Sequence, residues 1–182
     1  ALGSRIMRKR VEVIADLKDE ASGIHASVSE DTERLEIGYA PSFDFEALAG
    51  IEAAFEEALD RAASRERARG MTEVGPHRDD LSIRMNGVSL QTFGSQGQHK
   101  TAATALKLAE ARFLWRQLQA PPLLLLDDIF AEIDAARTGR LMEMVPTYGQ
   151  TFITTAKESD IGDYRRGITR FRVHEGAVTP YD

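Results

Sequence analysis

The run Pro121-Pro122-Leu123-Leu124-Leu125-Leu126-Asp127-Asp128 constrains the fold of this chain more than any other stretch. Two prolines do not sit inside a helix, so whatever follows them starts afresh. Four consecutive leucines show no alternation. A segment so short and so apolar suits a strand buried on both faces, the central parallel strand of an α/β layer. Two carboxylates at the end of such a strand are costly unless something compensates them. With Mg2+ nearby the cost disappears, and the tip of a parallel strand is where α/β sheets place ligands. The alternative is that the acidic pair simply ends the strand and caps the next turn.

Upstream lies Gly94-Ser95-Gln96-Gly97-Gln98, a polar turn that opens a helix. The helix is predicted from about Gln98 to Leu118, with Ala102, Leu106, Ala109 and Phe113 in register. A helix start offers unpaired N–H groups and partial positive charge, which suits phosphate. Ser95 followed by Gln98 also reads as an ordinary capping box. Gly94 to Thr101 nearly matches the phosphate-binding pattern G-x-x-x-x-G-K-[ST], with Lys100 and Thr101 in place. His99 stands where the second glycine must let the backbone pass under the phosphates, and the preceding residues belong to a hairpin, so the P-loop reading is set aside.

Past the leucines, Asp134 is either the N-cap of a helix from Ala135 to Val145 or part of a functional loop. Pro146 stops that helix. Gln150 to Thr155 reads as a strand with Phe152 and Ile153 inside and hydroxyls, Thr154 and Thr155, at its tip. Ile168 to Val173 and Ala177 to Tyr181 form a closing hairpin around Glu175-Gly176.

The first half is less regular. A helix is predicted from Leu2 to Leu17 with Leu2, Ile6, Val13 and Leu17 on one face. Two short strands, Ser22 to Val28 and Arg34 to Tyr39, flank the turn residues Ser29 to Thr32. A long helix follows from about Phe45 to Arg69, striped by Leu48, Ile51, Phe55, Leu59 and Ala62 and stopped by Gly70. Gly75-Pro76-His77-Arg78-Asp79-Asp80 is non-helical. Leu81 to Met85 and Val88 to Thr92 flank Asn86-Gly87, the pair that suits a type I′ hairpin turn.

With 182 residues the chain holds one domain, with room for a small subdomain. The absence of cysteine excludes disulfides and thiolate metal sites. No apolar run reaches about 18 residues, and no secretory signal opens the sequence, so a cytoplasmic protein without a membrane span is expected. A net charge of −6 does not favour a dedicated nucleic-acid domain. Basic residues still cluster at Arg5, Arg8, Lys9 and Arg10, at Arg61, Arg65, Arg67 and Arg69, and at Arg165, Arg166, Arg170 and Arg172. Such runs are ordinarily solvated faces.

Four segments in order carry a resemblance: GPHRDDL from Gly75, FGSQGQHKTAATALKLAEA from Phe93, PPLLLLDDIFAEID from Pro121 and GQTFITT from Gly149. Together they resemble the RecF family of bacterial DNA replication and repair proteins, members of the ATP-binding-cassette ATPase class. Relatives of the SMC type usually carry S-G-G-Q and an Asp-Glu pair, where this chain has Ser95-Gln96-Gly97-Gln98 and Asp127-Asp128. Family members are about twice this length, so the chain looks like a C-terminal half that begins inside the helical arm of the second lobe.

The resemblance implies an α/β fold, the second lobe of an ABC-type ATPase head with parallel strands, covering helices, a helical-arm segment and small β hairpins. Residues 1–70 would be the arm and β element, and residues 71–182 the head part with signature, Walker B, D-loop and switch motifs. It implies that Ser95, Gln96, Gly97 and Gln98 contact a partner's ATP in trans, that Asp127 helps hold Mg2+ and that Asp128 positions or activates water. Asp134 would sit in the D-loop, which faces the second copy. Thr154 or Thr155 occupies the switch position, where many cassette ATPases have His, and Lys100 falls where the family has Arg. The partners implied are DNA at single-strand/double-strand gap junctions, RecR and RecO in loading RecA, and a second copy in an ATP-dependent homodimer. The intact protein would be a weak DNA-dependent ATPase, and this chain alone, lacking a P-loop, would be silent. The rival reading is a nucleotide-free protein-interaction module, in which Ser95 is a cap and the Asp pair is structural.

Overall fold

The computed structural model describes residues 2–157 and 167–181. The first element is one long helix, α1 (Leu2–Ser29), not a helix followed by a strand. Ile24, Ala26 and Val28 alternate, but Ala21, Ile24, His25 and Val28 also fall at helical spacing, and the second pattern is the one that is buried. Near the N-terminus the buried positions are Ser4 and Met7, whereas Leu2 and Ile6 are exposed. Glu30 and Asp31 end the helix in the left-handed region, and Arg140 Nη1 donates to the Val28 carbonyl at 3.0 Å.

Strand β1 (Leu35–Ala40) pairs antiparallel with β2 (Asp80–Met85), which turns through Asn86-Gly87 into β3 (Val88–Ser89). Both turn residues have positive φ, as a type I′ turn requires. The second hairpin strand is shorter than its sequence suggests. Leu90 buries its side chain, and Leu90–Phe93 winds into a single helical turn, α3, that delivers the chain to Gly94. Between β1 and β2 lies α2 (Ile51–Arg69), preceded by a 3-10 turn at Leu48–Gly50 rather than by helix from Phe45. Gly70 closes α2 with φ of 66°, and Ile51, Phe55, Ala58 and Ala62 are its buried face.

Helix α4 (Gln96–Leu118) buries Thr101, Ala102, Thr104, Ala105, Leu108, Ala109 and Ala111, and it packs along α1. Strand β4 (Leu124–Asp127) leads through a loop to α5 (Ala135–Met144) and a 3-10 turn at Val145–Tyr148 that contains Pro146. Strand β5 (Thr151–Thr154) then pairs parallel with β4. A separate hairpin, β6 (Arg170–His174) and β7 (Ala177–Tyr181), ends the described chain. Of the third basic cluster, Arg165 and Arg166 lie outside the described residues.

The parallel pair is not covered on both faces. Leu124 and Leu126 are buried, while Leu125 is 68% exposed and Phe152, expected inside, is 50% exposed. Among the described residues, the face that carries Leu125 and Phe152 is left largely exposed.

Within the Gly75–Asp80 segment Gly75 is buried, and the side chain of Asp79 is fully enclosed. It accepts from Tyr39 Oη and from the Ser42 N–H at 2.8 Å, and it lies 3.6 Å from Arg10 Nη1. Arg10 also donates to the Pro76 carbonyl. One carboxylate thereby fastens α1, β1, the bend after β1 and the start of β2. Asp79→Ala should cost about 3 kcal/mol, because Tyr39, Ser42 and Arg10 all lose a buried partner. Urea unfolding of the two proteins measures the difference.

Candidate functional site

The N-terminus of α4 is built by Gly94 and Ser95. A Cβ on Gly94 would sit 2.6 Å from both the Leu90 carbonyl oxygen and Leu90 Cδ1, so no other residue fits under the α3 turn. Ser95 is extended and caps α4. Its Oγ accepts from the Gln98 N–H at 3.2 Å, and its own N–H donates to Gln98 Oε1 at 2.9 Å. The capping box is therefore real. It does not use up the serine, because a hydroxyl that accepts one bond still has a hydrogen to donate. The first-turn N–H groups of Gln96 and Gly97 have no acceptor inside the helix. His99 belongs to the first turn of α4 and lies over Gly94, which rules out a P-loop geometry for residues 94–101.

The tip of β4 lies beside this turn. Lys100 Nζ donates to the Asp128 carbonyl at 3.3 Å and lies 3.9 Å from Glu132 Oε2. A Cβ on Gly97 would stand 3.0 Å from the Glu132 carbonyl oxygen, so glycine lets the loop approach the helix. Asp127 Oδ1 accepts from the Thr154 hydroxyl across the parallel pair, and the Asp128 N–H donates to the Thr154 carbonyl at 3.0 Å. Asp128 has φ of 48° and Glu132 φ of 71°, left-handed conformations that Asp tolerates better than most residues. Thr155 hydrogen-bonds locally with Lys157. Among the described residues no cluster of three or more His, Asp or Glu side chains could hold a metal alone. Mg2+ keeps waters and takes phosphate oxygens, so one or two carboxylates suffice for it. The exposed oxygens of Asp127 and Asp128 fit that requirement.

Asp134 caps α5, with Oδ1 accepting from the Arg137 N–H at 2.9 Å and Oδ2 lying 3.2 Å from Arg137 Nε. The Arg137 guanidinium then reaches Glu33 Oε1 at 3.0 Å. That same oxygen accepts from Gln98 Nε2 at 2.9 Å. Beneath the carboxylate lies His25, fully buried, with Nε2 3.7 Å from Glu33 Oε2 and no hydrogen-bond partner on either ring nitrogen. Burial pushes the His25 pKa down, against the pull of Glu33. For Glu33, burial alone would raise the carboxyl. The hydrogen bonds from Arg137 and Gln98, with the Arg137 charge, outweigh it and hold the group below the ordinary glutamate range.

Ser95, Gln96, Gly97, Asp128 and Asp134 thus lie along one α4–loop–α5 surface, and Asp127 and Thr154 meet at its strand end. Gln98 points inward and is engaged at both ends of its amide. Sequence reading missed Glu33, His25 and Arg137. Glu33 is 65 residues from Gln98, and no local pattern links them. His25 fell in a segment read as a strand, where it would lie opposite Ile24, Ala26 and Val28, so its burial was not legible.

No protein-family profile matches the chain. The DNA replication and repair protein RecF of Geobacillus thermodenitrificans is 40% identical over 181 residues, 97% of this chain and 49% of that protein. RecF of Bacillus cereus is 40% identical over 162 residues, 87% of this chain and 43% of that protein. The chain thus spans about half the length of the curated relatives it matches. Among solved structures, the recombination mediator protein RecF-ATPrS in the RecFOR pathway superposes with a TM-score of 0.77 at 31% identity, over 99% of this chain and 47% of that one. An SMC ATPase matches with a TM-score of 0.55 at 14% identity over 98% of this chain and 88% of that one, which shows a shared fold.

The depressed His25 value makes a pH prediction. Below about 6.5 the unfolded histidine takes up a proton that the folded one resists, so stability is complete above that pH and falls as the pH drops through it. Glu33, also depressed, adds a loss of the same sign at more acid pH. Thermal melts between about pH 7 and 5 should show a falling Tm, with a shallower slope in His25→Leu.

Proposed function

We propose that this chain, which belongs to the RecF family and matches the C-terminal half of its members, is the second lobe of an ATP-dependent DNA-repair ATPase. The observation that carries the reading is the meeting of three pieces on one surface. The capped start of α4, the acidic tip of β4 and the Asp134 turn are tied through Gly97, Lys100 and Arg137. Relatives solved as RecF-ATP and RecF-ATPrS in the RecFOR pathway support nucleotide as the ligand and RecO and RecR as partners.

In this reading ATP lies between two copies. The Ser95 hydroxyl and the Gln96 and Gly97 N–H groups face the phosphates held by the other copy, where the positive end of α4 stabilises their charge. Asp127, oriented by Thr154, would hold Mg2+, which when bound neutralises phosphate charge. Asp128, whose side chain has no hydrogen-bond partner among the described residues, orients the attacking water. Asp134 reaches toward the other copy while Arg137 fixes its carboxylate. The bare apolar face of Leu123, Leu125 and Phe152 is where the remaining half of such a protein would pack. The whole protein would then clamp DNA at single-strand gap junctions, closing on ATP and opening on its hydrolysis.

Two substitutions in the full-length protein test this, with residues numbered as here. Ser95→Arg should leave ATP affinity of the monomer unchanged and abolish ATP-dependent dimerisation, read by sedimentation with and without ATP. If Ser95 is a cap and nothing more, the variant loses about 1 kcal/mol of stability and still dimerises. Asp128→Asn keeps the size and the tolerance for positive φ but removes the charge. Its turnover should fall by ~100-fold or more while the ATP-bound dimer persists, and turnover near that of the parent would remove Asp128 from the chemistry.

A further inference from the structure

We propose that Glu33 is a positioning residue that locks the α4 turn and the Asp134 turn into one geometry, so that ATP-dependent association requires it. The inference rests on the reading of the site given above. Glu33 belongs to neither segment. It lies in the link between α1 and β1, yet its Oε1 receives Gln98 Nε2 at 2.9 Å and Arg137 Nη2 at 3.0 Å. Each of those side chains is also bonded to the terminal residue of its own turn. Gln98 Oε1 accepts from the Ser95 N–H at 2.9 Å, and the Arg137 backbone N–H donates to Asp134 Oδ1 at 2.9 Å while its Nε lies 3.2 Å from Oδ2 in an ion pair. An unbroken line of polar contacts therefore runs Ser95, Gln98, Glu33, Arg137, Asp134.

The centre of the line is shielded from solvent, while its ends, Ser95 and Asp134, are exposed. The side chains of Glu33 and Arg137 are only 12% and 18% exposed, and His25 closes the inner side without offering a hydrogen bond. In such surroundings charge-assisted contacts are strong, and both of those to Glu33 converge on Oε1, since Oε2 is buried beside His25 without a hydrogen-bond partner. The network accordingly has a strong preference for one arrangement. Both turns must meet a second copy at once. A misplacement of about 1 Å at either would lose contacts there, as remote positioning defects do in other sites. Glu33→Gln can keep a carbonyl oxygen toward both Gln98 and Arg137, but it removes the charge at the centre of the line and so weakens both contacts. Arg137→Met breaks it on the Asp134 side and leaves Glu33 bonded to Gln98.

The test uses the full-length protein, with Glu33→Gln, Arg137→Met and the double variant. Each is read by sedimentation with ATP, by ATP titration of the monomer and by thermal melting. Each single change should weaken ATP-dependent dimerisation roughly tenfold or more, the scale of a lost charge-assisted bond. Monomer affinity for ATP should stay within about twofold, and the double variant should be no worse than the poorer single one, because the two act on one line. Folded variants that dimerise like the parent, or single effects that add, overturn the proposal. Should Glu33→Gln not fold, Arg137→Met decides, and if neither folds the network is a folding requirement and the proposal is wrong. Ser95→Arg run alongside separates the two levels. If it too leaves dimerisation intact, the site reading itself fails. If it abolishes dimerisation while Glu33→Gln and Arg137→Met do not, only the Glu33 inference falls.

Discussion

The close packing of α4 on α1 is the constraint on which the rest depends. The buried face of α4 is made of Thr101, Ala102, Thr104, Ala105, Ala109 and Ala111, with Leu108 as its one large member. Small side chains let two long helices lie near each other, and Ala21, Ile24 and Val28 of α1 fill the space between. Outside that seam, Glu20 receives Arg112 at 2.6 Å and Arg116 at 3.3 Å, and Arg112 lies 4.8 Å over the ring of Tyr148. These contacts leave α4 little freedom to slide or rotate. The direction of its N-terminus, and hence of Ser95 and Gly97, follows from a seam far along the helix.

At that N-terminus, the capping atoms are the same ones the proposed site would use. The Ser95 oxygen closes the capping box, and its hydrogen stays available. Gly94 and Gly97 are demanded by close approach, one to Leu90 and one to the Glu132 carbonyl, before any ligand is considered. Asp128 and Glu132 take left-handed backbone in the same few ångströms. Unfavourable conformations concentrated beside two exposed carboxylates are what a site under functional constraint shows. Helix capping and the proposed phosphate contact can therefore coexist at this turn.

The β4–β5 pair shows a different kind of incompleteness. A parallel strand of four leucines needs cover on both sides, and this chain covers Leu124 and Leu126 alone. The last hairpin exposes Phe171, Val173 and Val178. Apolar surface of this kind agrees with a chain spanning about half the length of its RecF relatives.

Local chemistry made much of this molecule readable. Asn86-Gly87 and Glu175-Gly176 marked turns, Gly70 marked a helix end, Ser95 and Asp134 marked helix starts, and the leucine run marked a parallel strand, because each depends on residues within a few positions. Ser22 to Val28 was misread for a physical reason. Over seven residues the strand and helix periods overlap, and only the presence of α4 opposite decides that Ala21, Ile24 and Val28 are buried together. The same holds for Leu125 and Phe152, whose exposure depends on which neighbours exist rather than on their own apolar character. The Glu33 carboxylate, its link to Gln98, Arg137 and the buried His25 beneath it were not legible in the sequence, since a contact between residues 65 positions apart leaves no periodic trace. The sequence by itself determined the turns, the caps and the chemical character of the strand tip. Only the tertiary structure decided which of them share a surface, because helix packing sets that and a linear pattern does not encode it.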